Sequence, residues 1–106
     1  MQARARSATS SRPEAGLVVR LIFSDQSWGE YLDWQQRDPK ALARINALLE
    51  ECRRHPFTGR GKPEPLRGDL AGWWSRRITR EDRLVYRVSG KGEAQALEVA
   101  QLRFHY

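Results

Sequence analysis

The chain has 106 residues, 40% of them hydrophobic, with a single cysteine and a formal net charge of +6. That length allows one domain with one modest core, and the composition speaks against a disordered chain. No apolar run approaches the roughly 18 residues of a membrane span, and a lone Cys52 excludes an internal disulfide and fits a reducing, cytoplasmic setting.

Residues 1–16 hold no large apolar side chain beyond Met1 and read as a disordered extension before a folded domain over 17–106. Their Arg- and Ser-rich makeup lacks the apolar face of a transit peptide. Leu17–Phe23, β-branched and apolar, predicts a strand. Ser24 then suits the cap of a helix with Trp28, Tyr31, Leu32 and Gln35 as its stripe. Asp38-Pro39 supplies a second cap, with proline at the first helical position. The helix that follows carries Leu42, Ile45, Leu49 and Cys52 on one face and stops before Pro56, so the two helices form an antiparallel hairpin. Cys52 falls on the apolar stripe and reads as a buried structural thiol.

Phe57–Gly72, rich in Gly, Pro and charge, reads mostly as loop. Strands follow over Trp73–Thr79 and Arg83–Val88, and a last one from Gln95 to Tyr106. The order βααβββ predicts an α+β domain: a mainly antiparallel sheet with the helical hairpin on one face.

Charge is unevenly spread. Residues 53–83 hold nine basic against four acidic side chains, whereas residues 17–52 are net acidic. Such concentration points to a polyanionic partner, nucleic acid first. Strand alternation puts Leu84, Tyr86 and Val88 on one side and Arg83, Val85 and Arg87 on the other. Extended to the chain end, it gathers Arg77, Arg83, Arg87, Arg103 and His105 into a basic floor. With two histidines, one cysteine and no acidic cluster of ligand spacing, a metal site is not expected. No Gly-flanked serine elbow and no phosphate-binding P-loop is present. What remains is a carboxylate, Glu64, held between Pro63 and Pro65, and a histidine, His105, among arginines. Metal-free RNA cleavage needs a base for the 2′-hydroxyl, cations for the phosphorane and an acid for the leaving 5′-oxygen. A histidine near its ordinary pKa of about 6.5 suits that last role.

At these residues the sequence resembles the YoeB (Txe) toxins of the RelE/ParE superfamily. The likeness lies in Phe23-Ser24-Asp25-Gln26-Ser27-Trp28, Arg53-Arg54-His55-Pro56-Phe57, Gly59 to Leu66, Trp74 to Thr79, Arg83-Leu84-Val85-Tyr86 and terminal His105-Tyr106. It covers roughly residues 19–106 in order. The resemblance implies a RelE-like fold and a type II toxin that enters the ribosomal A site, cuts mRNA and stops translation without a cofactor. It implies Glu64 as general base, Arg83 as transition-state stabiliser, His105 as general acid and Tyr106 as an aid to substrate placement. Lys62, Arg67 and Arg77 would contact RNA, Arg67 with a planar fork where the family commonly has lysine. It also implies a homodimer and a YefM-like antitoxin, which represses the operon with the toxin and through which alone the toxin meets operator DNA. Two other readings use the same fold or charge: a ParE-like gyrase poison, and a non-catalytic nucleic-acid-binding or antitoxin-binding module. Neither gains from Glu64 in a phosphate-facing position.

Overall fold

Residues 19–104 are described in the computed structural model of the protein. Strand β1 (Arg20–Phe23) leads into helix α1 (Asp25–Arg37), and helix α2 (Pro39–Arg54) follows after one residue. Four strands complete the chain: β2 (Glu64–Pro65), β3 (Trp74–Arg77), β4 (Arg83–Ser89) and β5 (Ala96–Gln101). They form one sheet in the order β1-β5-β4-β3-β2. Only β1 against β5 is parallel; the other pairings are antiparallel. The expected α+β architecture is therefore present, with one strand more than predicted.

The helix boundaries come from local chemistry. Ser24 Oγ accepts from Ser27 N at 3.0 Å, and Asp38 Oδ1 accepts from Ala41 N at 3.1 Å just before Pro39. Asp38 also ends α1 by donating its N–H to Trp34 O, so one residue terminates one helix and starts the next. On α2, Ala41, Ile45, Leu48, Leu49 and Cys52 are buried. They meet Leu84, Tyr86, Leu97, Val99 and Leu102 in the core. Desolvation pushes the Cys52 thiol up to about 11, as expected of a structural thiol.

Helix α1 corrects the predicted stripe. Trp28 and Leu32 are 48% and 42% exposed and Gln35 is exposed, while the buried residues of α1 are Ser27 and Trp34. Ser27 replaces a larger apolar group because α1 comes close to β5 there. Its hydroxyl donates to Val99 O at 2.8 Å, a carbonyl that also accepts from Ser24 N at 3.0 Å, so the hydroxyl's burial is matched by a hydrogen bond. Trp28 instead lies on the rim, stacked on Tyr31 at 5.6 Å and edge-on to Phe23 at 5.5 Å.

The last strand is also shorter than predicted. Helix α1 captures residue 102 by both backbone groups: Leu102 N donates to Glu30 Oε1 at 2.7 Å, and Leu102 O accepts from Trp34 Nε1 at 2.9 Å. Those bonds replace a sheet ladder, so β5 stops at Gln101, and Phe104 has a left-handed φ of 65°. The predicted start of β1 at Leu17 and Val18, and the residues His105 and Tyr106, lie outside the described residues.

Candidate active site

Glu64 was expected in a loop; the fold makes it half of an edge strand. Pro63 and Pro65 flank it and limit its backbone. Glu64 stands directly opposite Ser75 on β3, and Ser75 stands opposite Val85 on β4. Directly opposed residues share a face, so Glu64, Ser75 and Val85 form one row across the side of the sheet away from the helices. Ser75 and Val85 are buried, while Glu64 is exposed at the row's end. In the next row Arg77 faces Arg83. Two like charges placed directly opposite each other cost stability, which makes the pair receptive to an anion.

The two arginines are not equivalent. Arg77 is exposed and, among the described residues, enters no ion pair. Arg83 is half-buried, and its Nη1 donates to the carbonyls of Thr79, Arg80 and Asp82 at 3.0, 3.2 and 3.0 Å. Its guanidinium is thus held in place by the β3–β4 turn. The same turn anchors the C-terminal part of the chain. Asp82 accepts from Thr79 Oγ1 at 2.8 Å and, through its other oxygen, from Phe104 N at 2.8 Å. Asp82, which ties the candidate site's turn to Phe104, is a residue that sequence reasoning missed. Its only local sign was its place in a turn, and its partner lies 22 residues away.

The predicted basic floor loses two members. Arg87 donates to Glu98 Oε1 at 3.0 Å and lies 4.5 Å from the Trp73 ring centroid. Glu98 is held below the usual carboxylate range, first by the Ser89 hydroxyl and then by Arg87. Arg103 turns to the helix layer, where it pairs with Asp33 and lies 5.9 Å from the Trp34 ring centroid. It does so because β5 ends before it, and alternation no longer sets its side. Glu64, Arg77 and Arg83 remain on the open face. Lys62 and Arg67, both exposed, flank Glu64 along the chain. Glu64 forms no ion pair among the described residues, so it is a free carboxylate amid cations.

Lys62 itself is unusual, with φ of 53°, a left-handed conformation that costs a side-chain-bearing residue energy. Among the described residues no group of three or more His, Cys, Asp and Glu is placed to hold a metal ion, and no helix is long and apolar enough to cross a membrane.

The chain is similar to known proteins over most of its length. Residues 23–106 fit the model of the YoeB-like toxin of bacterial type II toxin–antitoxin systems. The chain belongs to that family. Toxin YoeB of Escherichia coli K12 is 49% identical over 88 residues, spanning 83% of this chain and all of the relative. Toxin YoeB of Streptomyces coelicolor is 44% identical with the same coverage. Among solved structures, a YoeB/ParE toxin from Agrobacterium tumefaciens superposes with a TM-score of 0.79 at 53% identity, covering 83% of this chain and all of that one. The YoeB dimer from Staphylococcus aureus superposes with a TM-score of 0.73 at 38% identity, covering 83% and 98%. In this YoeB-like toxin the candidate site, Glu64 with Arg77 and Arg83, lies on the sheet face opposite the helical hairpin.

Proposed function

We propose that this toxin is a ribosome-dependent endoribonuclease that cuts mRNA in the ribosomal A site and thereby inhibits translation. The observation that carries the reading is Glu64, which forms no ion pair among the described residues and is aligned with Ser75 and Val85 one row from the Arg77–Arg83 pair. Glu64 takes the proton of a ribose 2′-hydroxyl, whose oxygen attacks the adjacent phosphorus. Arg83, already oriented by three carbonyls, stabilises the extra negative charge of the phosphorane. His105 gives a proton to the departing 5′-oxygen, and Tyr106 helps to place the substrate. The bond from phosphorus to the 5′-oxygen breaks, leaving a 2′,3′-cyclic phosphate and a 5′-hydroxyl. The anchoring of Phe104 on Asp82, next to Arg83, supports the pairing of the chain end with this site. Lys62, Arg67 and Arg77 hold the RNA backbone.

Glu64 and Arg77 are exposed, so water is not excluded from them and the substrate is not aligned by the toxin alone. The ribosome supplies that alignment, an orientation gain that can be very large. The toxin domain spans residues 17–106, preceded by an extension over 1–16. It works in the cytoplasm as a homodimer and is neutralised by a YefM-like antitoxin, with which it acts on operator DNA. The solved YoeB–YefM complex and YoeB dimer of Staphylococcus aureus support those partners. A flexible acidic segment across the basic face fits the charge pattern.

The test compares His105→Ala with Arg77→Ala in single-turnover cleavage and in ribosome binding at several salt concentrations. Losing the acid lowers the cleavage rate by roughly 10²–10⁴-fold with affinity retained. Losing Arg77 weakens binding and flattens its salt dependence. Wild-type rates from His105→Ala would sink the general-acid assignment and leave a non-catalytic binding module.

A further inference from the structure

Arg76 is fully buried, yet it is a cation. Its guanidinium makes five hydrogen bonds. Nε donates to Tyr86 Oη at 3.2 Å. Nη1 donates to Glu51 Oε1 at 3.1 Å and Arg60 O at 3.0 Å. Nη2 donates to His55 O at 2.6 Å and Thr58 O at 2.8 Å. Tyr86 Oη in turn donates to Pro56 O at 2.5 Å. Four of the five acceptors lie between residues 51 and 60, in the end of α2 and the loop that leaves it. The loop is wrapped around one guanidinium, whose planar fork fixes the directions of those carbonyls.

We propose that Arg76 is the positioning residue for Glu64: by gripping the 55–60 loop it sets where the carboxylate stands on the open face. The inference rests on the endoribonuclease reading for its catalytic consequence. Three observations carry the link. First, the neighbouring residue continues the grip: Arg77 N donates to Gly61 O at 2.7 Å. Second, Gly61 packs on the clamp itself, since with φ of +82° a Cβ there would stand 3.1 Å from Arg76 Cβ. Third, only Lys62, in its left-handed conformation, and Pro63, with its ring-fixed φ, separate Gly61 from Glu64. So short and stiff a connection passes any displacement of the clamp directly to the carboxylate. Arg76 itself cannot meet phosphate, because none of it reaches the surface.

A cation at this depth is not the stabilising choice. A well-packed apolar side chain in place of a buried ion pair is often neutral or better. What an apolar group cannot do is hold three loop carbonyls and a carboxylate in one geometry.

Arg76→Lys keeps the charge but replaces the fork with a single ammonium. The first measurement is amide hydrogen exchange on the full chain. Arg60 N, which donates to Glu51 Oε1, and Arg77 N, which donates to Gly61 O, report the docked loop; Tyr86 and Val99, paired in the β4–β5 ladder, report the rest of the sheet. The expected result is lost protection at Arg60 and Arg77 with Tyr86 and Val99 unchanged. The second is single-turnover cleavage at saturating ribosomes, below the melting transition. The chemical step falls by roughly 10²-fold while ribosome affinity holds, as for a misplaced catalytic group. A merely stabilising residue would leave the folded fraction cutting at wild-type rate. Unchanged loop protection, or a loosened loop with wild-type cleavage, overturns the proposal. Wild-type protein that fails to cut ribosome-bound message overturns the endoribonuclease reading instead, and the exchange result still decides whether Arg76 holds the loop. Should Arg76→Lys not fold, Tyr86→Phe, which removes the bridge from Arg76 to Pro56 O and keeps the ring, is judged by the same two measurements.

Discussion

Arg76 and Arg77 are adjacent in the chain and lie on opposite sides of one strand. The first is buried beneath the helical hairpin, with five hydrogen bonds from its guanidinium to protein groups. The second is exposed on the open face and pairs with no acid among the described residues. The same side chain is a cross-link on one side and a free charge on the other. Burial decides this, because a desolvated guanidinium must spend its donors on the protein. Arg87 and Arg103 lie between these limits: each is partly exposed, and each is committed to a carboxylate and an aromatic ring. The cations available to a polyanion are therefore the few that the fold leaves unpaired, not the total in the composition.

The largest break of this contrast is Arg76→Met. It leaves three loop carbonyls without their donor and Glu51 with Arg60 alone, and each group left unsatisfied costs about 1–3 kcal/mol. Urea unfolding followed by tryptophan fluorescence measures it; a loss under about 1 kcal/mol would show that the loop finds other donors. Next is Trp34→Phe, which strips the Nε1 donor from Leu102 O. An unsatisfied buried carbonyl costs roughly 1–3 kcal/mol, read from the same unfolding curves.

A pH series gives a smaller effect. The backbone N–H of Arg60 first, and then the Arg76 and Arg60 guanidiniums, hold the Glu51 carboxyl below its ordinary range. Arg37 and Arg103 do the same for Asp33. A depressed folded pKa means stability that is complete above the unfolded value of about 4 and is lost as pH falls through the lower folded value. Glu51→Gln should flatten that acid limb. At the other end, desolvation pushes Tyr86 up to about 12 and Cys52 to about 11. Their contribution is complete below the unfolded values of about 10 and 8.5 and declines as pH rises toward the folded ones. Cys52→Ala should delay the onset of alkaline loss.

The smallest change in stability belongs to Arg77→Ala, within about 0.5 kcal/mol of wild type. Its effect appears in binding instead, where the salt slope of ribosome affinity drops by about one phosphate contact. A stability loss as large as that of Arg76→Met would erase the distinction between the two faces.

Much of the architecture was legible before any coordinates, wherever the cause is local. The caps at Ser24 and Asp38, the proline that starts α2 and the apolar stripe of α2 each act within a few residues. They are where the periodicity and capping rules put them. Glu64 stood out because two prolines hold it in a basic stretch, and the register with Ser75 places it on the open face beside Arg77 and Arg83. What could not be read depends on distant partners. Ser27 is buried because β5 offers it Val99 O, 72 residues on. Residues 102–104 leave the sheet because Glu30 and Trp34 claim Leu102's backbone. The fates of the arginines follow the same rule. Arg76 meets Glu51 across 25 residues, and Arg103 meets Asp33 across 70. The sequence by itself determined the helices, most of the strands and the chemical nature of the candidate site, since hydrogen bonds and side-chain periods over a few residues set them. Which arginines became structural and which stayed free only the tertiary structure decided, because a charge is committed by whatever carboxylates and carbonyls the fold brings within 3 to 4 Å of it.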